Sequence, residues 1–157
     1  MLEQAKMDGA KPILDQVNIV AGNFGGSLDF YRRLGVEFPQ PVSGRTGDQF
    51  HANGKTPNGF RFELDSAPFA RVWNQGWAAR SDLVGRIVLG FGLASREEVD
   101  RVYAQLTEAG HPGLAPPHDA FWGARYAIVE DPNGIAVGLM SPVDPARKTQ
   151  PPAGWED

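Results

Sequence analysis

Two short segments of the chain alternate polar with apolar residues, and their polar positions carry groups that could bind a ligand or move a proton. The first, QVNIV, places Gln16 and Asn18 on one face of a predicted strand, and the second, FRFELD, places Arg61, Glu63 and Asp65 on one face of another. A carboxyl group beside amides and a guanidinium can accept hydrogen bonds or act as an acid or base. Glu63 is the candidate catalytic residue if the protein is an enzyme.

Arg86 begins a third predicted strand, RIVLGF, and is expected on the same face as Glu63. It could form an ion pair with Glu63 or meet an anionic ligand. The alternative is that both side chains lie at the rim in water, where such a pair contributes little. A dry pocket would raise the pKa of Glu63, whereas pairing with Arg86 would lower it, and the sequence does not weigh these two effects.

The segment YAIVEDPNGIAVGLMSP, residues 126–142, predicts a β-hairpin, because DPNG supplies a turn between two apolar runs. Alternation along its second strand places Gly138 and Met140 on the face away from the predicted core. Together with Gly90 of RIVLGF, Gly138 either marks close packing between strands or leaves room for a ligand against the sheet. A lone hairpin is marginally stable, so the rest of the chain must supply further strands.

Aromatic side chains are concentrated beside the predicted polar face. Trp73 and Trp77 lie in the connection between the two halves of the chain, and Phe121 and Trp122 lie just before the hairpin. Such side chains could form the wall of a ligand pocket, or could fill a core or an intermolecular contact. We treat them as candidate ligand-binding residues.

The three histidines show no metal-ligand spacing to one another. His51 falls on a predicted strand, His111 follows the end of a predicted helix, and His118 lies in a proline-rich run. A structural or solvated role is the expectation for each. The sequence contains no nucleophile motif or dinucleotide fingerprint, and the glycine-rich segment 22–26 lacks the spacing of a phosphate-binding loop.

The composition disfavours several classes of function. The 157 residues carry a net charge of −4 with scattered basic residues, which argues against nucleic-acid binding. The sequence has neither an apolar run long enough for a membrane span nor a secretory signal at its N-terminus, so we expect a cytoplasmic protein with no membrane partner. The absence of cysteine removes disulfides, thiolate metal ligands and cysteine nucleophiles.

The predicted elements occur in the same order twice: strand, helix and three strands. The first helix is expected from Ser27 to Leu34, and a turn is expected at Asn53-Gly54. In the second half, Ser95 and Glu98 form a capping box for a helix that ends at Gly110. Such a repeat predicts two copies of one unit that complete each other's sheet.

The domain boundaries follow from this repeat. We expect a flexible N-terminus (1–11), a first module (12–66), a connection that has room for one short helix (67–84), a second module (85–142) and a C-terminal tail (143–157). Short strands are expected at 36–38 and 48–52. The tail is expected not to pack on the domain, with Trp155 as the one exception.

The repeat, the opening QVNIVAGNFGGSLDFYRRLG and the ending RYAIVEDPNGIAVGLMSP resemble the vicinal oxygen chelate superfamily, which contains glyoxalases, extradiol dioxygenases, epimerases and bleomycin-resistance-type binding proteins. The resemblance spans residues 13–142. It implies an α+β fold, in which two βαβββ modules form a cupped mixed β-sheet with helices on the outer face. It also implies a homodimer, because members of the superfamily usually dimerise.

Metal-dependent members of that superfamily hold a divalent ion with one residue from the first strand and one from the last strand of each module. The matching positions are Gln16, Glu63, Arg86 and Gly138. An arginine and a glycine offer no side-chain ligand atom, so we predict no metal at this site and no other cofactor. The alternative is a divalent metal held by Gln16, Glu63 and an additional histidine, His51 or His118.

The residues and the resemblance together favour a metal-independent binding protein of the bleomycin-resistance type, which holds an aromatic or amphipathic small molecule in the cup. The candidate ligand-binding residues are Gln16, Asn18, Glu63, Arg86, Trp73, Trp77, Phe121, Trp122, Gly138 and Met140. Two alternatives stay open: a metal-dependent glyoxalase-like lyase, isomerase or dioxygenase, and a metal-free enzyme that uses Glu63 as an acid or base. The carboxylates favour a cationic ligand, whereas the positive charge of Arg86 disfavours one.

Overall fold

Eight strands and three α-helices make up the part of the chain that the computed structural model describes, which is residues 11–33, 35–131 and 134–155. The first module contains β1 (Ile13–Ala21), α1 (Phe24–Arg33), β2 (Val42–Ser43), β3 (Gln49–Lys55) and β4 (Arg61–Ser66). The connection contains α2 (Ala67–Trp73) and a 3₁₀ turn (Gln75–Trp77). The second module contains β5 (Ile87–Gly92), α3 (Arg96–Glu108), β6 (Gly113–Asp119), β7 (Arg125–Glu130) and β8 (Ala136–Met140), and a second 3₁₀ turn (Pro145–Arg147) follows it.

All eight strands belong to one mixed sheet in the order β2-β3-β4-β1-β5-β8-β7-β6. Within each module the first strand runs parallel to the last, so that β1 lies beside β4 and β5 lies beside β8. The modules join where β1 runs antiparallel to β5, which brings Gln16 opposite Gly90. The predicted α+β fold of two βαβββ modules is confirmed, and a single chain builds the whole sheet.

The two long helices cover the outer side of the sheet, as the alternation predicts. Leu64 of β4 is fully buried in a cluster with Leu28 of α1, and Val99 of α3 packs in a second cluster with Leu139 of β8. Because side chains alternate along a strand, the two carboxylates that flank Leu64 lie on the opposite, inner face.

A third apolar cluster lies on the inner side, where α2 contacts β1 and β4. Ser66 caps this helix, since its hydroxyl oxygen accepts a hydrogen bond from the Phe69 amide at 3.3 Å. The helix buries Phe69 and Trp73. The predicted connection is thus a structural element that closes one side of the inner face.

The first helix begins earlier than predicted. It starts at Phe24 instead of following Ser27, because the side-chain oxygen of Asn23 accepts a hydrogen bond from the Gly26 amide at 2.9 Å and caps the helix there. Ser27 lies inside the first turn. Leu34, the predicted last residue of the helix, lies outside the described residues.

The turn predicted at Asn53-Gly54 is wrong, because β3 continues through both residues. The ring of Phe38 packs over Gly54, where a side chain would leave no room for it. The chain turns instead at Gly59, whose φ of 83° favours glycine. The strand predicted at 36–38 is reduced to a single bridge between Glu37 and Lys55.

The second module follows the prediction more closely. The Ser95 hydroxyl oxygen accepts from the Glu98 amide at 3.2 Å, and Gly110, with a φ of 97°, follows the end of the helix. The proline-rich run forms β6 at the edge of the sheet, where the missing proline N–H groups are tolerated. The predicted hairpin is β7–β8, although residues 132–133 of its turn lie outside the described residues.

The C-terminal segment (residues 142–155) is attached to the domain before Trp155 as well as at Trp155, whereas the prediction expected contact at Trp155 alone. The Thr149 amide donates to the Phe121 carbonyl at 2.9 Å. Further on, the Trp155 ring packs against the rings of Phe50 and Phe69, with centroids 5.0 and 5.1 Å away. The segment therefore crosses from the second module to the first, where the Trp155 ring is partly buried.

The predicted flexible N-terminus falls almost entirely on residues 1–10, which lie outside the described residues. Among the helices of the described ranges, none is long and apolar enough to cross a membrane.

Candidate functional site

A cavity of about 250 Å³ lies on the inner face of the sheet, between α2 and the C-terminal segment. Its polar lining comes from β1, β3 and β4 and forms what we call the floor. The floor consists of Gln16, Asn18, His51, Asn53, Arg61, Glu63 and Asp65.

Asp65 organises the floor. Its buried carboxylate accepts hydrogen bonds from Asn18 Nδ2 at 2.8 Å, Trp73 Nε1 at 2.9 Å and His51 Nδ1 at 2.5 Å. Since a carboxylate only accepts hydrogen bonds, Asn18 must turn its NH₂ group towards Asp65 and its oxygen away from it. One acidic residue thus fixes the orientation of three side chains that line the cavity.

The contact with Asp65 also sets the charge of His51. Burial lowers the pKa of His51, but the hydrogen bond and charge of Asp65, the charge of Glu63 and a hydrogen bond with Asn53 raise it by more. The net pKa of His51 lies above the ordinary value of 6.5. An imidazolium is therefore held beside the cavity more readily than it forms in solution.

Glu63 receives one hydrogen bond from the described residues, from a terminal nitrogen of Arg61 to Oε1 at 2.9 Å. The other terminal nitrogen of Arg61 bonds Asp15 at 3.0 Å, so two carboxylates share one guanidinium. Burial raises the pKa of Glu63, the charges of Arg61 and His51 oppose this effect, and the charge of Asp65 adds to it. The net pKa is raised, which makes Glu63 a better proton carrier near neutral pH than a surface glutamate.

Two buried oxygen atoms of the floor have no hydrogen-bond partner among the described residues. They are Gln16 Oε1 and Asn18 Oδ1. The two residues are only 8% and 5% exposed, and both line the cavity. A buried polar atom without a partner costs about 1–3 kcal/mol. The floor therefore offers acceptors that a bound molecule can satisfy.

Aromatic rings, together with Met140, form a second part of the cavity lining, which we call the wall. Phe121 meets Trp122 edge-on at 5.0 Å between ring centroids, and Trp122 meets Tyr126 at 5.2 Å. These edge-to-face contacts hold the rings in place. The wall consists of Phe69, Trp73, Phe121, Trp122, Tyr126 and Met140. The cavity is thus amphipathic, with polar groups facing aromatic ones.

The two inner-face glycines accommodate neighbouring side chains, which supports close packing over clearance for a ligand. A Cβ atom at Gly138 would lie 2.6 Å from the Tyr126 hydroxyl, and one at Gly90 would collide with the side chain of Gln16. Burial and the charges of Glu63 and Asp65 raise the pKa of Tyr126, so its side chain stays a neutral phenol. Tyr126 occupies the space that a longer side chain at position 138 would need.

The structure brings most of the predicted ligand-binding residues to this one cavity. Those that line it are Gln16, Asn18, Glu63, Trp73, Phe121, Trp122 and Met140. Gly138 lies beneath Tyr126 instead. Trp77 is buried behind Trp73, with ring centroids 6.2 Å apart, and supports the wall without lining it.

Arg86 lies outside the cavity, contrary to the expectation. It precedes β5, and its guanidinium donates to the Asp82 carboxylate at 2.7 Å on the protein surface. Val88, two residues further along the same face, is the β5 side chain that lines the cavity. The expected ion pair of Arg86 with Glu63 is replaced by the pair of Arg61 with Glu63.

Sequence reasoning missed Tyr126, Phe69 and the role of His51. Tyr126 lies opposite Met140 in the β7–β8 register, so the hairpin pattern already placed both on one face. His51 lies opposite Asp65 in the β3–β4 register. That pairing was hidden by the turn wrongly predicted two residues after His51.

The residues at the metal positions of the resemblance do not fit a metal ion. On β5 the inward position is Val88, which has no ligand atom, and on β8 it is Gly138 under the Tyr126 ring. Gln16 and Glu63 remain, and two oxygen ligands do not complete the six to eight ligands of a hard divalent cation.

The two histidines of the alternative metal site differ. His118 lies on β6 outside the cavity lining, with Nδ1 3.0 Å from the Pro116 carbonyl. His51 lines the cavity and its Nδ1 contacts Asp65, but its raised pKa favours the protonated ring, which has no lone pair for a metal ion. Across residues 11–33, 35–131 and 134–155, no three His, Cys, Asp or Glu side chains are grouped so that they could hold a metal ion.

A family model for the Glyoxalase/Bleomycin resistance protein/Dioxygenase superfamily matches residues 13–139. The chain belongs to this superfamily. A search of curated proteins finds no match.

Solved structures share the glyoxalase-superfamily fold of the chain. The 2,3-dioxygenase LapB from Pseudomonas sp. KL28 superposes with a TM-score of 0.59 at 14% identity, over 83% of this chain and 42% of that one. Methylmalonyl-CoA epimerase from Mycobacterium tuberculosis has a TM-score of 0.56 at 16% identity, over 83% of this chain and 88% of that one. An NAD-dependent benzaldehyde dehydrogenase from Legionella pneumophila has a TM-score of 0.55 at 19% identity, over 80% of this chain and 96% of that one. At these identities the likeness concerns the fold alone.

Proposed function

We propose that this glyoxalase-superfamily protein binds a small aromatic or amphipathic molecule in the cavity without a metal ion. The observation that carries the proposal is the division of a single cavity into an aromatic wall and a polar floor. Its volume of about 250 Å³ is below the roughly 300–1,000 Å³ of pockets for drug-sized ligands. The ligand is accordingly a molecule of one or two rings, smaller than a large natural product.

The wall supplies part of the binding free energy. Removing about 100 Å² of apolar ligand surface from water stabilises a complex by about 2.5 kcal/mol. A micromolar dissociation constant corresponds to about 8 kcal/mol. Hydrogen bonds to the floor must therefore contribute as well, which favours an amphipathic ligand over a hydrocarbon.

The lack of further ligand atoms beside Gln16 and Glu63 supports a metal-independent mode of binding. Of the other two matching positions, Arg86 lies outside the cavity and Gly138 has no side chain. Val88 lines the cavity on β5 without a ligand atom, and the Tyr126 ring fills the space over Gly138. Elemental analysis of the untagged protein, before and after incubation with Ni²⁺, Zn²⁺, Mn²⁺ and Fe²⁺, tests this part of the proposal. We expect near-zero metal after removal of the excess, and one tightly held ion per chain would contradict it.

A second candidate function, metal-free acid–base catalysis, is favoured by the state of Glu63. Its carboxyl group lines the cavity, its pKa is raised by burial, and Oε2 receives no hydrogen bond from the described residues. A proton donor or acceptor of this kind can act on a bound substrate. The substitution Glu63→Gln separates the candidates, because an acid–base enzyme loses turnover while it still binds, whereas a binding protein loses only modest affinity.

A thermal-shift screen of small aromatic compounds on metal-free protein tests the proposed function. A saturating ligand at about 100 times its dissociation constant raises stability by about 2.7 kcal/mol. We expect hits with the wild type and with Phe30→Ala, which removes an exposed ring from α1, and a loss of these shifts with Trp122→Ala. Shifts that persist in Trp122→Ala would place binding elsewhere and overturn the proposal.

We also propose that the protein forms a homodimer through the outer face of its central strands. The long helices pack on the outer strands of the two modules, and Ile87 on β5 and Leu14 on β1 remain 43% and 44% exposed. Ile87 lies opposite Ile19 and Leu14 lies opposite Phe91 in the β1–β5 register, so all four side chains belong to the outer face of these two strands. Light scattering after size exclusion is expected to give twice the chain mass, and Ile87→Asp a single chain mass. A monomeric wild type would contradict the proposal.

A further inference from the structure

Three hydrogen-bond acceptors of the floor receive no hydrogen bond from the described residues. They are Gln16 Oε1, Asn18 Oδ1 and the second oxygen of Glu63. The donors nearest to them are engaged elsewhere, because Asn18 and His51 Nδ1 bond Asp65 and the terminal nitrogens of Arg61 bond two carboxylates. The Asn18 oxygen cannot be exchanged for a donor by rotating the amide, because Asp65 requires the NH₂ group on its own side.

The strand register places these three acceptors around one small region. Asn18 is the direct partner of Glu63 in the parallel β1–β4 pair, and neighbouring strands are about 4.8 Å apart. Gln16 precedes Asn18 by two residues on the same face, a displacement of about 6.6 Å along β1. One head group of a ligand can therefore reach all three side chains.

The charge of the floor favours a cation at this point. The ion pairs of the floor join Arg61 to Glu63 and to Asp15, which lies outside the cavity lining, and join His51 to Asp65. Even with His51 protonated, this network of three carboxylates and two cations has a net charge of −1. The remaining cationic group of the cavity, Lys148, is exposed at its opening.

We propose that the ligand carries a primary amine, and that its ammonium group donates one hydrogen bond each to Gln16 Oε1, Asn18 Oδ1 and the free oxygen of Glu63. This inference rests on the proposed function, because the wall holds the aromatic body to which the amine is attached. An ammonium has three N–H donors and no acceptor, which matches three acceptors without a donor. A carboxylate head group would face acceptors and negative charge, and a neutral apolar group would leave the buried oxygens unpaired.

Three probes with the same phenyl body and a similar chain length isolate the head group. They are 2-phenylethylamine, 2-phenylethanol and 3-phenylpropionate, and their affinities for the full-length wild type are compared by isothermal titration calorimetry at neutral pH. We expect the amine to bind at least about tenfold more tightly than the alcohol, since hydrogen bonds to charged groups contribute more than neutral ones. The carboxylate is expected to bind most weakly.

Variants of the floor then assign the effect to its acceptors. In Gln16→Met and Glu63→Gln the advantage of the amine over the alcohol is expected to fall to within a few-fold. Gln49→Met and Glu37→Gln, which make the same changes at exposed positions, are expected to keep the full advantage. The wild-type comparison needs no variant, so it remains decisive if a substitution prevents folding.

The outcomes separate this inference from the proposed function. A preference for the amine that collapses in the floor variants supports both. Equal binding of the three probes, or tightest binding of the carboxylate, overturns the amine assignment and leaves an aromatic-binding cavity. Failure of all three probes to bind, up to the limit of their solubility, counts against the cavity as a binding site for small aromatic molecules and overturns both.

Discussion

His51 Nδ1 lies 2.5 Å from Asp65 Oδ1, across the register of β3 and β4, and this contact joins two charged residues of the floor. The second oxygen of the same carboxylate accepts from Asn18 and from Trp73. A floor residue on β1, a floor residue on β3 and a wall residue on α2 thus depend on one acidic group. Four predictions about stability follow from this arrangement and from the packing around it.

Asp65→Asn is expected to lower the free energy of unfolding by about 3–5 kcal/mol, because it removes a buried charge that pairs with His51 and turns an NH₂ group towards existing donors. Urea denaturation measures the change. Asp29→Asn, the same substitution at an exposed position of α1, is the matched control and is expected to change little. A loss for Asp65→Asn as small as that of the control would show that Asp65 does not organise the floor.

Stability is expected to fall as the pH rises above about 6.5. The folded-state pKa of His51 is raised above its unfolded value of 6.5, so the contribution of protonated His51 is fully present below pH 6.5 and is lost as the pH rises through the folded pKa. The raised pKa of Glu63 acts in the same direction, from pH 4.5 upwards. Unfolding free energies of the wild type and His51→Gln, measured over about pH 6 to 9, are expected to converge as the pH rises. Parallel curves would contradict the assignment.

Gly138→Ala is expected to displace the Tyr126 hydroxyl from its place over β8. The new Cβ would lie 2.6 Å from this oxygen, and Tyr126 is buried, so we expect a loss of about 1–3 kcal/mol. Gly25→Ala is the control, because nothing lies within 4 Å of its Cβ and α1 gains about 0.5–1 kcal/mol from alanine. Thermal and urea denaturation are expected to show lower stability for Gly138→Ala and higher stability for Gly25→Ala. A neutral Gly138→Ala would mean that Tyr126 repacks freely.

Trp155→Ala is expected to release the C-terminal segment from the first module. The ring makes two aromatic contacts, with Phe50 and Phe69, each worth about 0.5–1.5 kcal/mol. We therefore expect a loss of about 1–3 kcal/mol and faster hydrogen exchange at the Thr149 amide, which is bonded to the Phe121 carbonyl. Unchanged exchange at Thr149 would show that the segment is held without Trp155.

The sequence predicts the repeat and the faces of its strands, because alternation and helix capping are local signals. Glu63 and Asp65 lie on the inner face since Leu64 between them must lie on the outer one. The Ser95 cap was predictable for the same reason, because it joins residues only three apart in the sequence. These features need no knowledge of distant parts of the chain.

The partners within the site could not be predicted, because they depend on register and on turns. A turn at Asn53-Gly54 is the usual behaviour of this pair, and only the packing of Phe38 over Gly54 extends β3 and brings His51 to Asp65. The predicted position of Arg86 on the inner face was wrong for a related reason. It shares the face of Val88 but lies one residue before the sheet, where Asp82 is the nearer partner.

The most direct test of the central claim is the affinity of a small aromatic hit, measured by calorimetry on protein stripped of metal by a chelator. We expect binding with one site per chain, no change when divalent metal is restored, and at least about tenfold weaker binding in Trp122→Ala, which corresponds to about 1.4 kcal/mol. Binding that appears only when metal is restored, or that is unaffected by Trp122→Ala, would contradict a metal-independent aromatic site in this cavity.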